Sequence, residues 1–231
     1  MVEHRVFTAC GPTYYEVKDR LFDQYVCPAF DDGTGLKTEE LENGFNELAR
    51  LDGSVSRMQL RSQLFTYILG NARIDVDPQD WFADHFDHCG DILRKHREGW
   101  RRELGEGILS EDAGLLKRGF RTGSFSAELD LGHISPGWRF LLREGVPGIL
   151  HQLKEKLQGT CDDTAREFYE SSIRMYCAML DFMGRLEAQA RRMQEEHPEA
   201  ADRMTKLADC LASLQRTAPQ TFYEALQLAY L

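Results

Sequence analysis

The longest helical pattern in the chain runs from Asp162 to His197, without a proline and with Gly184 as its single glycine. At 1.5 Å per residue, such a segment forms a rod of ~54 Å. Apolar side chains recur along it in alternating steps of four and three, apart from a skipped position at Gln189. That spacing predicts a seam packed against one or two neighbouring helices. The seam residues are Phe168, Ser172, Met175, Met179, Phe182, Leu186 and Met193.

Two shorter helices are predicted before residue 75. The first has Thr38 as its N-cap and a buried stripe of Leu41, Phe45 and Leu48. The second starts at Ser54 and is expected to stop at a left-handed turn over residues 70–71. Its predicted inner face comprises Met58, Leu60, Leu64, Tyr67 and Ile68.

The rest of the chain also favours helices. Helical patterns cover residues 14–26, 81–104 and 221–231, and Pro198 is placed at the first turn of a further helix that buries Leu207, Leu211 and Leu214. Residues 74–78 form the only strand-like pattern in the sequence. The predicted fold class is therefore mostly α, with few or no strands in this segment.

Glycines divide the chain into two predicted segments. Residues 105–136 are rich in glycine and read as a long loop, so we expect a helical segment with a loop-rich end over 1–135 and a long-helix segment over 136–231. The final apolar pattern over 221–231 has no C-cap and no polar tail. We therefore expect it to be covered by protein that the sequence does not include.

Composition restricts the possible partners. The formal net charge is −10, which opposes binding to phosphate backbones, so a nucleic-acid partner is not expected. No stretch approaches the roughly 20 apolar residues that cross a bilayer, so no membrane association is expected. Six cysteines without C-x-x-C spacing are typical of reduced thiols in a cytoplasmic protein.

One group of side chains has the chemistry of metal ligands. Helical spacing would bring His85 and His88, or Asp84 and His88, onto one face. No second group with a recognised ligand spacing follows, and a solvated polar helix face is the favoured interpretation. We therefore assign no metal. The group comprises Asp84, His85, Asp87, His88, Cys89 and His96.

His133 is the one candidate substrate-binding residue. It follows Gly132 and precedes a predicted helix start with Ser135 as cap and Pro136 in the first turn. A neutral imidazole there can hydrogen-bond a substrate hydroxyl or carboxylate, or take part in proton transfer. A purely structural role, in which His133 ties the preceding loop to the helix, remains equally open. No residue is assigned a catalytic role.

Two motifs resemble the glycyl radical enzymes of the pyruvate formate-lyase type. The first is Gly132-His133-x-x-Pro136-x-Trp138, continued by Arg143-Glu144-Gly145 and Gly148-Ile149, with Val146 where the family pattern has a leucine. The second is the Pro-x-Thr-Phe-Tyr-Glu-Ala-Leu-Gln stretch over 219–227. Phe168-Tyr169-Glu170 is similar to the family's next helix start, and the resemblance covers about residues 54–231.

The resemblance implies a barrel of strands wrapped by helices and a radical mechanism. In the family, an activating enzyme that uses S-adenosylmethionine and an iron–sulfur cluster generates a radical on a backbone glycine. The radical passes to a cysteine, which initiates cleavage of a C–C, C–O, C–N or C–S bond in lyase or acyltransferase reactions of anaerobic metabolism. In some members of the family a residue in the Gly-His region reaches the substrate pocket, and this supports a substrate-binding role for His133.

The sequence lacks the two family motifs that carry the radical chemistry. None of the six cysteines has the Gly-Cys-x-Glu setting, and no Arg-Val-x-Gly-aromatic loop occurs. The chain is therefore predicted to be the N-terminal helical portion of such an enzyme, truncated before the barrel is complete and inactive alone, with no cofactor of its own. The implied partners are the remaining barrel portion or a second subunit, the radical-activating enzyme, and a second copy in a homodimer. The alternative is a non-enzymatic helical interaction protein that docks a partner through its long helix and apolar C-terminus.

Overall fold

The computed structural model describes residues 34–51, 53–83 and 137–231, together with the single residues 16, 18 and 122. Within these residues the chain is mostly α, as predicted. The described residues form no strand, but they include two isolated bridges: an antiparallel one between Thr34 and Ile74 and a parallel one between Leu36 and Ala72. The helices are α1 Thr38–Ala49, α2 Arg57–Asn71, α3 Trp138–Gly159, α4 Asp163–Glu196, a 3-10 helix Pro198–Ala200, α5 Ala201–Leu214 and α6 Phe222–Tyr230.

The predicted rod is confirmed as α4, which is 34 residues long. Its first turn is capped by the Asp162 carboxylate, which accepts a hydrogen bond of 2.6 Å from the backbone N–H of Ala165. Pro198 follows the C-cap residue His197 and cannot continue the α-helix ladder. α4 packs against α2, α3 and α5, so it has three helical neighbours within the described residues rather than one or two.

The predicted seam is correct only along the second half of α4. Phe182, Leu186 and Met193 are buried there, and the skipped Gln189 belongs to the seam because only 3% of it is exposed. In the first half the prediction is wrong for Phe168, which is 48% exposed, and for Ser172, since Ser171 is buried in its place, whereas Met179 does pack against the core. No residue between 151 and 170 is buried, so the tip of the α3–α4 hairpin extends beyond the packing reach of the other described helices.

The start of α1 is shifted by one residue from the prediction. Lys37 is the N-cap, and its backbone N–H donates a hydrogen bond of 3.3 Å to the Glu40 carboxylate. Thr38 is instead the first helical residue. The predicted stripe is confirmed, because Leu41 and Phe45 are 0% and 2% exposed.

α2 begins later and ends differently from the prediction. Ser56, not Ser54, is the N-cap, and its hydroxyl accepts a hydrogen bond of 3.1 Å from Gln59 N–H. Met58 is 40% exposed and so lies outside the inner face. The expected left-handed stop at residues 70–71 is wrong, since Gly70 does not have a positive φ and the helix continues through Asn71.

A long-range contact from α4 replaces that stop. The Arg185 guanidinium donates hydrogen bonds of 2.5 Å to the carbonyl oxygens of Leu69 and Ala72 at the C-terminal end of α2. These carbonyls carry partial negative charge, which favours a cation. Burial lowers the pKa of Arg185 from its ordinary value. α2 therefore ends against a side chain that lies more than a hundred residues later in the sequence.

After α4 the predictions for the core hold. Pro198 lies in the first turn of the 3-10 helix, and Leu207, Leu211 and Leu214 of α5 are buried. Residues 81–83 are not helical, contrary to the prediction for residues 81–104. The remainder of that pattern, the helix predicted over 14–26 apart from two of its residues, and nearly all of the glycine-rich loop lie outside the described residues.

Candidate functional site

The candidate site residues named from the sequence lie outside the described part of the structure. This applies to His133 and to the group formed by Asp84, His85, Asp87, His88, Cys89 and His96. Among the residues that the structure describes, no three His, Cys, Asp or Glu side chains converge to hold a metal ion. The structure does describe much of both family-like motifs, and their contacts define what this part of the chain does.

The second motif begins with a capping box at the start of α6. The Thr221 hydroxyl accepts a hydrogen bond of 3.2 Å from Glu224 N–H, and the Glu224 carboxylate accepts one of 2.9 Å from Thr221 N–H. Burial opposes ionisation of Glu224, but hydrogen bonds from Ser213, Gln220 and Thr221 outweigh it and lower the pKa of Glu224. The Thr-x-x-Glu part of the motif therefore fixes the first turn of α6.

Gln227, the last residue of the motif, binds a distant backbone segment. Its side chain is 0% exposed. The amide oxygen accepts a hydrogen bond of 2.9 Å from Ala83 N–H, and the amide nitrogen donates one of 2.8 Å to the Ala83 carbonyl. One side chain thus satisfies both buried backbone groups of Ala83, which no sheet or helix pairs. We call this contact the Gln227 clamp.

Aromatic rings extend the clamp on both sides of Ala83. The Tyr223 hydroxyl donates a hydrogen bond to the Trp81 carbonyl oxygen. The Phe82 ring stacks on Tyr230, with centroids 5.0 Å apart, and lies 5.2 Å from the Tyr223 ring. Burial, followed by the proximity of Cys210, raises the pKa of Tyr223 to about 12. Tyr223 therefore remains a neutral hydrogen-bond donor throughout the physiological pH range.

Two cations from α5 cover the indole of Trp81. The Arg203 guanidinium lies 5.0 Å from the Trp81 ring centroid, and it donates a hydrogen bond of 2.7 Å to the Pro78 carbonyl. The Lys206 ammonium lies 5.7 Å from the Trp81 centroid and 4.7 Å from that of Tyr223. Residues 78–83 are thereby fixed to both α5 and α6.

These contacts alter the expectation that the final apolar segment is uncovered. One face of α6 is packed within the chain, where Gln227 and Leu228 are 0% and 4% exposed, so the expectation is wrong for that face. The other side retains large exposed aromatics, with Phe222 80% and Tyr230 55% exposed.

The first motif contacts the second through Gly145. This residue interrupts α3 with a φ of +63°, which L side chains rarely adopt. A Cβ at Gly145 would lie 2.7 Å from the Ala218 Cα, in the connection that leads to α6. Val146, the departure from the family pattern, is 0% exposed and packs in a cluster with Met183 and Leu228. The two motifs are therefore parts of one packing unit.

A polar cleft of about 420 Å³ lies between residues 75–78 and the last turn of α4. Val76, Pro78 and Met193 contribute apolar surface, and the other lining residues are ionisable. Arg192 lies 3.6 Å from Glu196. Asp77 accepts a hydrogen bond of 2.7 Å from Gln79 N–H, which stabilises a turn. These contacts are local ion pairing and turn formation rather than a catalytic arrangement.

The buried thiol of Cys210 is not activated. Cys210 is 5% exposed, and burial, followed by the charge of Glu224, raises its pKa to about 12. A thiol with this pKa stays protonated near neutral pH and is a poor nucleophile. Cys161 is exposed and Cys177 is half-buried.

None of the described helices has the length and apolarity of a bilayer span.

Comparisons with known proteins agree on one family. The family described as pyruvate formate lyase-like matches residues 76–231. The B12-independent glycerol dehydratase from Clostridium butyricum, in its glycerol-bound form, is a similar structure with a TM-score of 0.58 and 16% identity, covering 82% of this chain and 30% of its own. A glycyl radical enzyme from Archaeoglobus fulgidus has a TM-score of 0.63 and 14% identity, with coverages of 84% and 33%.

A third similar structure concerns 1,2-propanediol dehydration in Roseburia inulinivorans. Its TM-score is 0.67 at 14% identity, and the match covers 92% of this chain and 32% of that one. At these identities the likeness establishes the fold. The chain spans about a third of the length of the solved structures that it matches. No curated protein sequence matches the chain.

Proposed function

The chain belongs to the pyruvate formate lyase-like family, and from that premise we propose that it is the N-terminal helical portion of a glycyl radical enzyme. The resemblance recognised in the sequence is confirmed for residues 76–231. In this proposal the chain supplies packing and one wall of the substrate pocket. The bond cleavage itself, a lyase or acyltransferase reaction, is carried out by protein outside this sequence.

The proposal rests on the observation that residues of both family-like motifs make packing contacts within the chain. Gln227 holds the backbone of Ala83, and Gly145 permits close contact with Ala218. Ala83 and Gly137 flank the segment 84–136, which contains His133. The motifs thus act as structural anchors for both flanks of the segment that carries the candidate substrate-binding residue, which is a scaffolding role.

The cysteines of this chain support the proposal that the bond cleavage is carried out by protein outside this sequence. The residues that precede them are Ala9, Val26, His88, Thr160, Tyr176 and Asp209, so none follows the glycine that the family's cysteine loop requires. The buried Cys210 is further disfavoured by its raised pKa. We therefore propose that both the reactive cysteine and the radical glycine belong to the remaining barrel, on the same polypeptide or on a second subunit.

Activation in this proposal depends on a separate enzyme. That partner supplies S-adenosylmethionine and iron–sulfur chemistry, and it acts on the glycine outside this chain. The chain itself is proposed to need no cofactor, to reside in the cytoplasm, and to join a homodimer of the complete enzyme.

Reading the genome beyond the codon for Leu231 tests this proposal. We expect the same open reading frame, or that of an adjacent gene, to encode both a Gly-Cys-x-Glu loop and an Arg-Val-x-Gly-aromatic loop. A genome in which neither gene encodes these loops would contradict the proposal.

The role of His133 is tested in the complete enzyme. Replacing His133 with alanine is expected to reduce turnover by more than it reduces stability, because an imidazole in the pocket contacts substrate. His151→Ala is a suitable control, since His151 is exposed and pairs with Glu155 on its own helix. A His133 variant that loses stability and turnover in parallel would assign the residue a structural role instead.

The interaction-protein alternative is favoured by one observation, the exposure of Phe222, Tyr230 and Phe168. Large exposed apolar surfaces mark contact sites. The genome distinguishes the two functions. A glycyl radical enzyme requires both the cysteine loop and the glycine loop, whereas an interaction protein requires neither.

A further inference from the structure

We draw no further inference here: the strongest candidate, the exposed side of α6 that carries Phe222 and the outer part of Tyr230, is an apolar surface, and nothing in the described part of the structure shows what covers it.

Discussion

Replacing Gln227 with leucine removes the clamp while keeping a similar side-chain volume. The change leaves the N–H and carbonyl of Ala83 without their partners at 2.9 and 2.8 Å, in a residue that is 2% exposed. An unsatisfied buried polar group costs about 1–3 kcal/mol. The two orphaned groups together cost about 4 kcal/mol at the middle of that range, and burial of the apolar leucine returns about 2 kcal/mol, so the expected net loss of unfolding free energy is about 2 kcal/mol.

Urea denaturation measures this loss through the transition midpoint and its slope. Gln220→Leu is the matched control, because Gln220 is exposed and its side-chain amide donates a hydrogen bond of 2.9 Å to the nearby Ala218 carbonyl. That variant is expected to stay within about 0.5 kcal/mol of the wild type. If Gln227→Leu were as stable as the control, the clamp would not contribute to stability and the reasoning would be refuted.

Two further predictions concern the backbone at Gly145 and the buried thiol of Cys210. Gly145→Ala places a Cβ 2.7 Å from backbone at a φ of +63° and is expected to cost more than Gly53→Ala, where φ is +83° but nothing lies within 4 Å. The strain alone costs about 1–3 kcal/mol, and equal losses in urea melts would show that the backbone contact at Gly145 is unimportant. Burial raises the pKa of Cys210 from 9.0 to about 12, so the unfolded chain loses its proton first and stability is expected to fall as pH rises from 9 towards 12. The fall should begin nearer pH 10 in Cys210→Ala, because among the described residues the half-buried Tyr223 then still has a raised pKa; an unchanged onset would argue against this effect.

The helices could be predicted from the sequence because their signals are local. α4 has a long apolar period, an aspartate N-cap and a proline after its end, and all three signals lie within the segment that they define. The stripe of Leu41 and Phe45 follows from the same periodicity. Boundary errors of one or two residues, as at Ser54, arise because neighbouring serines are equivalent N-caps by sequence alone.

The contacts between helices could not be predicted in this way. Phe168 has the spacing of a seam residue, yet burial depends on whether a neighbouring helix reaches that turn. Arg185 and Gln227 have polar side chains that sequence patterns assign to the surface, and their partners lie 116 and 144 residues away. A glutamine within a mostly apolar segment was the available signal for the clamp, because a buried amide needs a partner.

The most direct test of the central claim is anaerobic electron paramagnetic resonance of this chain after treatment with a radical-activating enzyme, S-adenosylmethionine and a reductant. The measurement does not depend on knowing the substrate. A complete glycyl radical enzyme with its own activating enzyme is the positive control, and the same activating enzyme is then offered this chain. The account predicts no glycyl radical signal, since the sequence lacks the glycine loop. A stable glycyl radical on the 231-residue chain would contradict it.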